Sequence, residues 1–396
     1  MRRYAVRESL GSVPGLKPVL LGILLAAVCT PAASANVRSG PAGVAFYTPP
    51  SSPAAGKHGK PIWWRKLSGQ AALSGGSGNR LLLYRSTGLD GRPIAVSGVL
   101  TLPKGKAPKG GWPIVTWAHG TTGIADTCAP SRANVQNGYD HSLLQRWVKA
   151  GYAVVRTDYE GLGTPGPHPY LIGTSEARSV LDAVLAAREA VPEIGKDVVI
   201  AGHSQGGQAA LFATALAKSW APSLKIRGTV AFAPVSHLSE QGAALRNVTT
   251  TSLTPLAAMI LRGIDVADPA LNVKALLTPQ AAALYPQIDA KCLSDLGQPD
   301  SFGALPTSQL VRPDAGIGLV VAALAARDDP EGLKIKTPLL IEQGTADTTV
   351  FPIFTQQTAA ALKATYKTYE GLTHGTVVTS AKSQADATAF VKKRLG

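Results

Sequence analysis

The stretch VVIAGHSQGGQAALFATALA, residues 198–217, narrows the folds open to this chain more than any other. Val198–Ala201 is continuously apolar, like a strand buried on both faces, and an Ala-rich helix begins a few residues later. Gly202-His203-Ser204-Gln205-Gly206 must reverse the chain between them. Glycines two positions before and after the serine leave room for a sharp turn in which Ser204 adopts strained backbone angles. Its hydroxyl then stands at the C-terminal edge of a sheet, where open α/β sheets bind ligands, facing the positive N-terminus of the next helix. A G-x-S-x-G turn between strand and helix marks Ser204 as a candidate nucleophile; the plainer alternative is a structural turn.

The same alternation recurs around it. Leu81–Ser86, Ile94–Leu102, Pro113–Ala118, Tyr152–Thr157, Gly228–Ala233, Thr337–Glu342 and Thr365–Glu370 read as strands. Ser142–Ala150, Ser175–Val191, the stretch from Gly206, Phe354–Ala364 and Ser383–Leu395 read as helices. Apolar strands alternating with helices predict an α/β fold with a mainly parallel sheet covered on both faces. Between Ala233 and Thr337 the alternation stops for about a hundred residues, too many for a structureless loop in a compact domain. Pro255–Arg262, Val273–Leu277, Gln280–Tyr285 and Gly316–Arg327 read there as helical, so residues 236–333 are expected to form an inserted cap. The core then comprises residues 81–235 and 334–396, preceded by an extended Gly/Pro/Ser-rich arm over residues 36–80 lying on the domain surface.

The N-terminus has the three parts of an export signal: Arg2, Arg3, Arg7 and Lys17, then apolar Val19–Val28, then Ala33-Ser34-Ala35. The apolar run is too short to cross a bilayer. Residues 1–35 are therefore expected to be removed near Ala35, placing the protein outside the cytoplasm, secreted or periplasmic. A twin-arginine route and a lipid anchor at Cys29 are weaker alternatives, because the residues flanking each are a poor match. Cys128 and Cys292 remain, an even number in an oxidising compartment, which favours one disulfide over two buried thiols. The formal charge is +14, or +11 without residues 1–35, which carry four basic residues and one acidic. The cations are scattered and no nucleic-acid motif accompanies them, so the charge is read as a solubility feature.

A serine hydroxyl needs a base and the base needs an orienting acid; in a fold of this kind they follow in the order Ser, acid, His. Of seven histidines, His374 lies in a strand-end loop near the C-terminus; His237, the other downstream candidate, begins the cap. Asp347 follows the penultimate strand, one helix before His374, and is the candidate acid. Asp158 is the alternative, more in keeping with loop organisation, while Asp328 and Asp329 read as solvated linker charges. The oxyanion donors are expected to be the N–H of Gln205 and one from His119-Gly120-Thr121-Thr122-Gly123, Thr121 first and Thr122 second. His119 is assigned to loop hydrogen bonds, and His203 to lining the turn. No HExxH, paired CxxC, P-loop or G-x-G-x-x-G after a strand is present, so neither metal nor cofactor is called for.

WAHGTTGIADTCAPS (117–131), GYAVVRTDYEGLG (151–163), HPYL (168–171), AGHSQGGQAA (201–210), PLLIEQGTADTTV (338–350) and GLTHG (371–375) together resemble the secretory lipase family of lipase A type. The resemblance implies an α/β-hydrolase fold with a helical lid, a Ser204-Asp347-His374 triad, and a bond from Cys128 to a cap cysteine, here Cys292. It implies hydrolysis of carboxylic esters through an acyl-enzyme, on a small-molecule or lipid substrate and with a possible lipid–water interface. A secreted peptidase and a cutinase-like polyester hydrolase are the competing readings. A cap without an acidic amine-binding cluster counts against the first, and the size of the insertion against the second. A non-enzymatic binding protein on the same fold is disfavoured because all three triad candidates stand in order. A histidine base predicts a neutral-to-alkaline optimum.

Overall fold

The structure is a computed structural model that describes residues 37–50, 56–132 and 138–396; the expected export signal lies outside them. Nine strands form one sheet: β1 (Pro61–Lys66), β2 (Gly78–Thr87), β3 (Pro93–Leu102), β4 (Trp112–Ala118), β5 (Ala153–Thr157), β6 (Ile194–His203), β7 (Lys225–Phe232), β8 (Leu339–Gly344) and β9 (Thr365–Tyr369). Their order is β1-β2-β3-β5-β4-β6-β7-β8-β9. The first three strands pair antiparallel and β3 joins β5 antiparallel; from β5 to β9 every pairing is parallel. The order reverses at β4, so the C-terminal ends of β4 and β6 lie side by side, Ala118 opposite Gly202. That is the switch point at which such sheets leave a crevice.

The helices are α1 (His141–Lys149), α2 (Gly173–Ala190), α3 (Gln205–Trp220), α4 (Leu238–Ala243), α5 (Thr254–Ala267), α6 (Pro279–Leu284), α7 (Leu293–Leu296), α8 (Gly318–Arg327), α9 (Pro352–Ala361), α10 (Thr376–Thr379) and α11 (Ala381–Leu395). Helices α2 and α3 cover one face of the sheet, burying Val180, Val184, Ala209 and Ala213 on Ile114, Val155, Val198 and Ile200. The other face carries α1 and α11, with Trp147 and Val391 packed on Val115, Trp117, Val199 and Val230. The central strands β4, β5 and β8 are buried almost throughout because both of their sides are covered.

Helices α4 to α8, joined by short 3-10 turns, fill the stretch between β7 and β8. They bury a cluster that includes Met259, Ile264, Ile288, Phe302 and Leu310. The segment expected to lie as a surface arm is built into the sheet instead. Arg65 pairs with Leu81 in β1–β2, Trp63 is 7% exposed, and its indole donates to the Phe46 carbonyl at 3.0 Å. The Gly/Pro/Ser content of the segment hid a six-residue strand whose apolar side chains complete the sheet edge. Asp328 is also a correction. It is 1% exposed at the end of α8 rather than solvated, because its carbonyl accepts from buried Gln208 Nε2 at 2.6 Å and draws the residue inward.

Candidate active site

Strand β6 ends at His203 and α3 begins at Gln205, leaving one residue, Ser204, to make the turn. Its φ of 58° and ψ of −120° lie outside the regions an L-residue ordinarily occupies, a strain held by the structure on either side. The Ser204 N–H donates to the Phe232 carbonyl at 2.9 Å, and the Ser204 carbonyl accepts from Gln208 at 3.1 Å. The flanking glycines are steric necessities. A Cβ on Gly202 would overlap the Gly206 carbonyl, and one on Gly206 would overlap the carbonyl of Ala118 at the end of β4.

Asp347 follows β8 and His374 follows β9. His374 Nδ1–H donates to Asp347 Oδ2 at 2.8 Å. Gln343 Nε2 donates to the same oxygen at 2.9 Å, and the N–H groups of Thr349 and Val350 donate to Oδ1 at 2.8 and 2.9 Å. Burial pushes the Asp347 carboxyl up, but the hydrogen bond and charge of His374 and the two backbone amides outweigh it, so the group stays below its usual range and ionised. The ring of His374 lies 4.6 Å from that of His203, centroid to centroid, beside the turn. Among the described residues no hydrogen bond joins Ser204 to His374. Such contacts are commonly long in unliganded hydrolases and tighten in the substrate complex.

On the opposite side of Ser204, Thr121 follows β4 and its hydroxyl meets that of Tyr170 at 2.6 Å. Thr122 turns toward the insertion: its carbonyl accepts from Leu293 at 2.9 Å, and its buried hydroxyl has no partner among the described residues. Gln205 heads α3, so its N–H precedes the first intrahelical acceptor. The Gln205 side chain donates to Glu176 Oε1 at 2.7 Å and lies 3.2 Å from His168 Nε2. Burial raises Glu176 to about 8, a rise that the bonds from Gln205 and Leu171 N–H reduce. Burial lowers His168 to about 4, against the bond its Nδ1 makes to the Glu160 carbonyl. Between about pH 4 and pH 8 both groups are therefore neutral next to the helix terminus.

The competing residues are engaged elsewhere. Asp158 accepts from Ser97 Oγ at 2.6 Å and from the N–H and hydroxyl of Ser131, fastening the CAPS segment to β3. His237 contacts Glu240 at 2.8 Å and Glu331 at 3.3 Å and stacks on Phe354. His119 Nδ1 donates to the Gly120 carbonyl at 2.7 Å. The sequence assigns no role at the site to Gln343, Glu176 or His168, although His168 and Gln343 lie within the HPYL and PLLIEQGTADTTV stretches. Gln343 reads as an ordinary strand residue and Glu176 as a first-turn helix acid, and only packing brings them to the site.

Ser204 and Thr121 open into a cavity of about 330 Å³ walled by Leu253, Leu256, Ile260, Val320 and Phe354, most of them from α5 and α8. A disulfide joins Cys128, after the Thr121 loop, to Cys292 at the start of α7, with Cα atoms 5.5 Å apart. Among the described residues no group of three or more His, Cys, Asp or Glu is placed to hold a metal, and no helix is long and apolar enough to cross a membrane.

The secretory lipase family model matches residues 129–298, which include the Ser204 turn and much of the insertion. Over that stretch the chain is similar to the secretory lipases. Lipase A of Moesziomyces aphidis is 28% identical over 279 residues, 66% of this chain and 56% of that protein. A probable inactive lipase of Mycobacterium tuberculosis is 27% identical over 202 residues, 48% of this chain and 44% of that protein. The chain thus spans about half the length of the curated relatives it matches. Lipase A of Candida antarctica superposes with a TM-score of 0.67 at 21% identity, covering 87% of this chain and 85% of that one. The fold is that of an α/β-hydrolase. What distinguishes this chain among secretory lipase relatives must be sought in its own site.

Proposed function

We propose that this relative of the secretory lipases is an exported serine hydrolase of carboxylic esters with apolar acyl groups. One observation carries the reading: a serine held in strained geometry faces an apolar cavity, beside a histidine whose Nδ1–H is fixed by an ionised aspartate. In this scheme His374 Nε2 accepts the Ser204 proton as Oγ attacks the ester carbonyl. Asp347 fixes the tautomer and stabilises the imidazolium. The N–H of Gln205, with one from Thr121, receives the developing oxyanion, assisted by the N-terminus of α3. His374 then protonates the departing alcohol, and water enters to release the acid. The cavity walls are mostly apolar and offer van der Waals contact to an acyl chain, and the Glu240 carboxylate among them is engaged with His237, which favours esters over the peptidase reading.

The test is hydrolysis of p-nitrophenyl esters from acetate to palmitate, with aminoacyl-naphthylamides alongside and Ser204→Ala as control. Ester turnover lost in the variant supports the reading. Folded wild-type protein without turnover on any ester sinks it, and the non-enzymatic alternative then takes its place. N-terminal sequencing of the exported protein tests the processing site near Ala35.

A further inference from the structure

The residue preceding the nucleophile does more than line the turn. His203 is 5% exposed and its two ring nitrogens have different partners. Nε2 lies 2.9 Å from the backbone carbonyl of His374, and Nδ1 lies 3.0 Å from the Tyr139 hydroxyl. A carbonyl oxygen can only accept, so Nε2 must carry the proton. In a neutral ring Nδ1 is then the acceptor, and the Tyr139 O–H is its donor. The Tyr139 hydroxyl also packs against Gly120, in the loop that carries Thr121. The contact is close: a Cβ on Gly120 would stand 3.1 Å from both the Tyr139 hydroxyl and His203 Nδ1.

We propose that Tyr139, His203 and His374 form a directional hydrogen-bond chain that, with Tyr139 packed against Gly120, sets the base loop and the oxyanion loop in register on either side of Ser204, with His203 as its positioning residue. The inference rests on the ester-hydrolase reading for its catalytic consequence, and on geometry alone for the chain itself. Each bond fixes the sense of the next. The His374 carbonyl can only accept and so keeps the proton on Nε2; Nδ1 is left as the acceptor, and so the Tyr139 phenol points its proton at it. Reversing one tautomer would set two lone pairs against each other at the base loop. Burial first, and then the proximity of His374, lowers His203 well below the ordinary histidine range, while the His374 carbonyl and Asp347 act in the opposite direction. His203 therefore stays neutral and does not compete with His374 for the serine proton.

Three variants and one measurement on the intact protein test the chain. His203→Leu keeps the bulk and removes both bonds; kcat on a short p-nitrophenyl ester should fall about 100-fold with KM within about threefold, since misplacing a base costs turnover rather than binding. Tyr139→Phe, which removes only the O–H that fixes the tautomer, should cost about tenfold. His203→Gln restores an N–H donor toward the His374 carbonyl and should recover most of the loss. A filler role predicts the opposite ranking, with Leu tolerated and Gln penalised. Independently, ¹⁵N-histidine spectra of wild-type protein should show His203 neutral and protonated at Nε2 across about pH 5 to 9. A folded His203→Leu with near wild-type kcat, or a spectrum showing His203 protonated at Nδ1, overturns the proposal. If the wild type proves inactive on every ester, the function reading fails while the spectrum still decides whether the chain exists.

Discussion

The Ser204 turn and the helical insertion meet at one cavity and are held by different means. The turn is fixed by backbone against backbone: Gly202 meets Gly206, Gly206 meets Ala118, and the Ser204 N–H is spent on Phe232. Almost no side-chain choice enters. The insertion is held mainly by side chains, through a buried cluster it shares with Ile124, Tyr170, Leu171 and Val350 of the core and a covalent tie between Cys292 and Cys128. A carbonyl in contact leaves no room for a Cβ, whereas an apolar wall can be repacked at modest cost. Substitutions in the insertion are therefore expected to be better tolerated than substitutions in the turn. A rigid sheet edge with a variable cover is how one fold serves many substrates.

The largest effect should come from the turn. Gly206→Ala drives a Cβ into the Ala118 carbonyl and should lower turnover by at least about 10³-fold, or prevent folding, as read by ester assay and circular dichroism. Near wild-type activity would dissolve the contrast between the regions. Next is Asp347→Asn, which should cut kcat by about 10³–10⁴-fold by releasing the His374 tautomer, and lower the melting temperature by a few degrees because an amide N–H₂ replaces a buried oxygen that accepts from donors. Cys292→Ser tests the tie between the regions. Calorimetry should show a loss of about 2–5 kcal/mol, with a smaller fall in activity as the Thr121 loop loosens. Unchanged stability would mean that the insertion stands without its bond. Leu256→Trp should narrow the cavity, lowering turnover of palmitate relative to acetate esters by about tenfold while sparing acetate; equal loss on both would place the insertion inside the chemistry.

The smallest effect concerns pH. Glu176 ionises near pH 8 in the fold, above a carboxyl's ordinary value of 4.5, so the folded state holds its proton more tightly than the unfolded chain. Its contribution to stability is complete at acid pH and is lost as pH rises toward 8. Glu176→Gln keeps an acceptor for Gln205 and Leu171 without the titration. At alkaline pH it should melt a few degrees above wild type, with the gap closing at acid pH. A gap independent of pH would show that Glu176 is not held neutral.

The parallel strands, the helices between them and the serine turn were legible because each is written locally. Val198–Ala201 is apolar as a doubly covered strand must be, and the spacing of Gly202, Ser204 and Gly206 states a backbone constraint that few other turns share. The strand over Pro61–Lys66 was not legible, because composition described its surroundings and its pairing to β2 is a long-range fact. Asp328 read as a solvated charge for the same reason: burial belongs to what lies around a residue, and a charged letter in the sequence says nothing of it. The sequence by itself determined the order of elements, the glycine-framed turn and which residue types could serve it. Only the tertiary structure decided that Gln343 shares the Asp347 oxygen with His374 and that His203 reaches the base loop through one nitrogen and Tyr139 through the other. Local patterns record backbone geometry, but hydrogen bonds between residues distant in sequence exist only once the sheet has brought strand ends together.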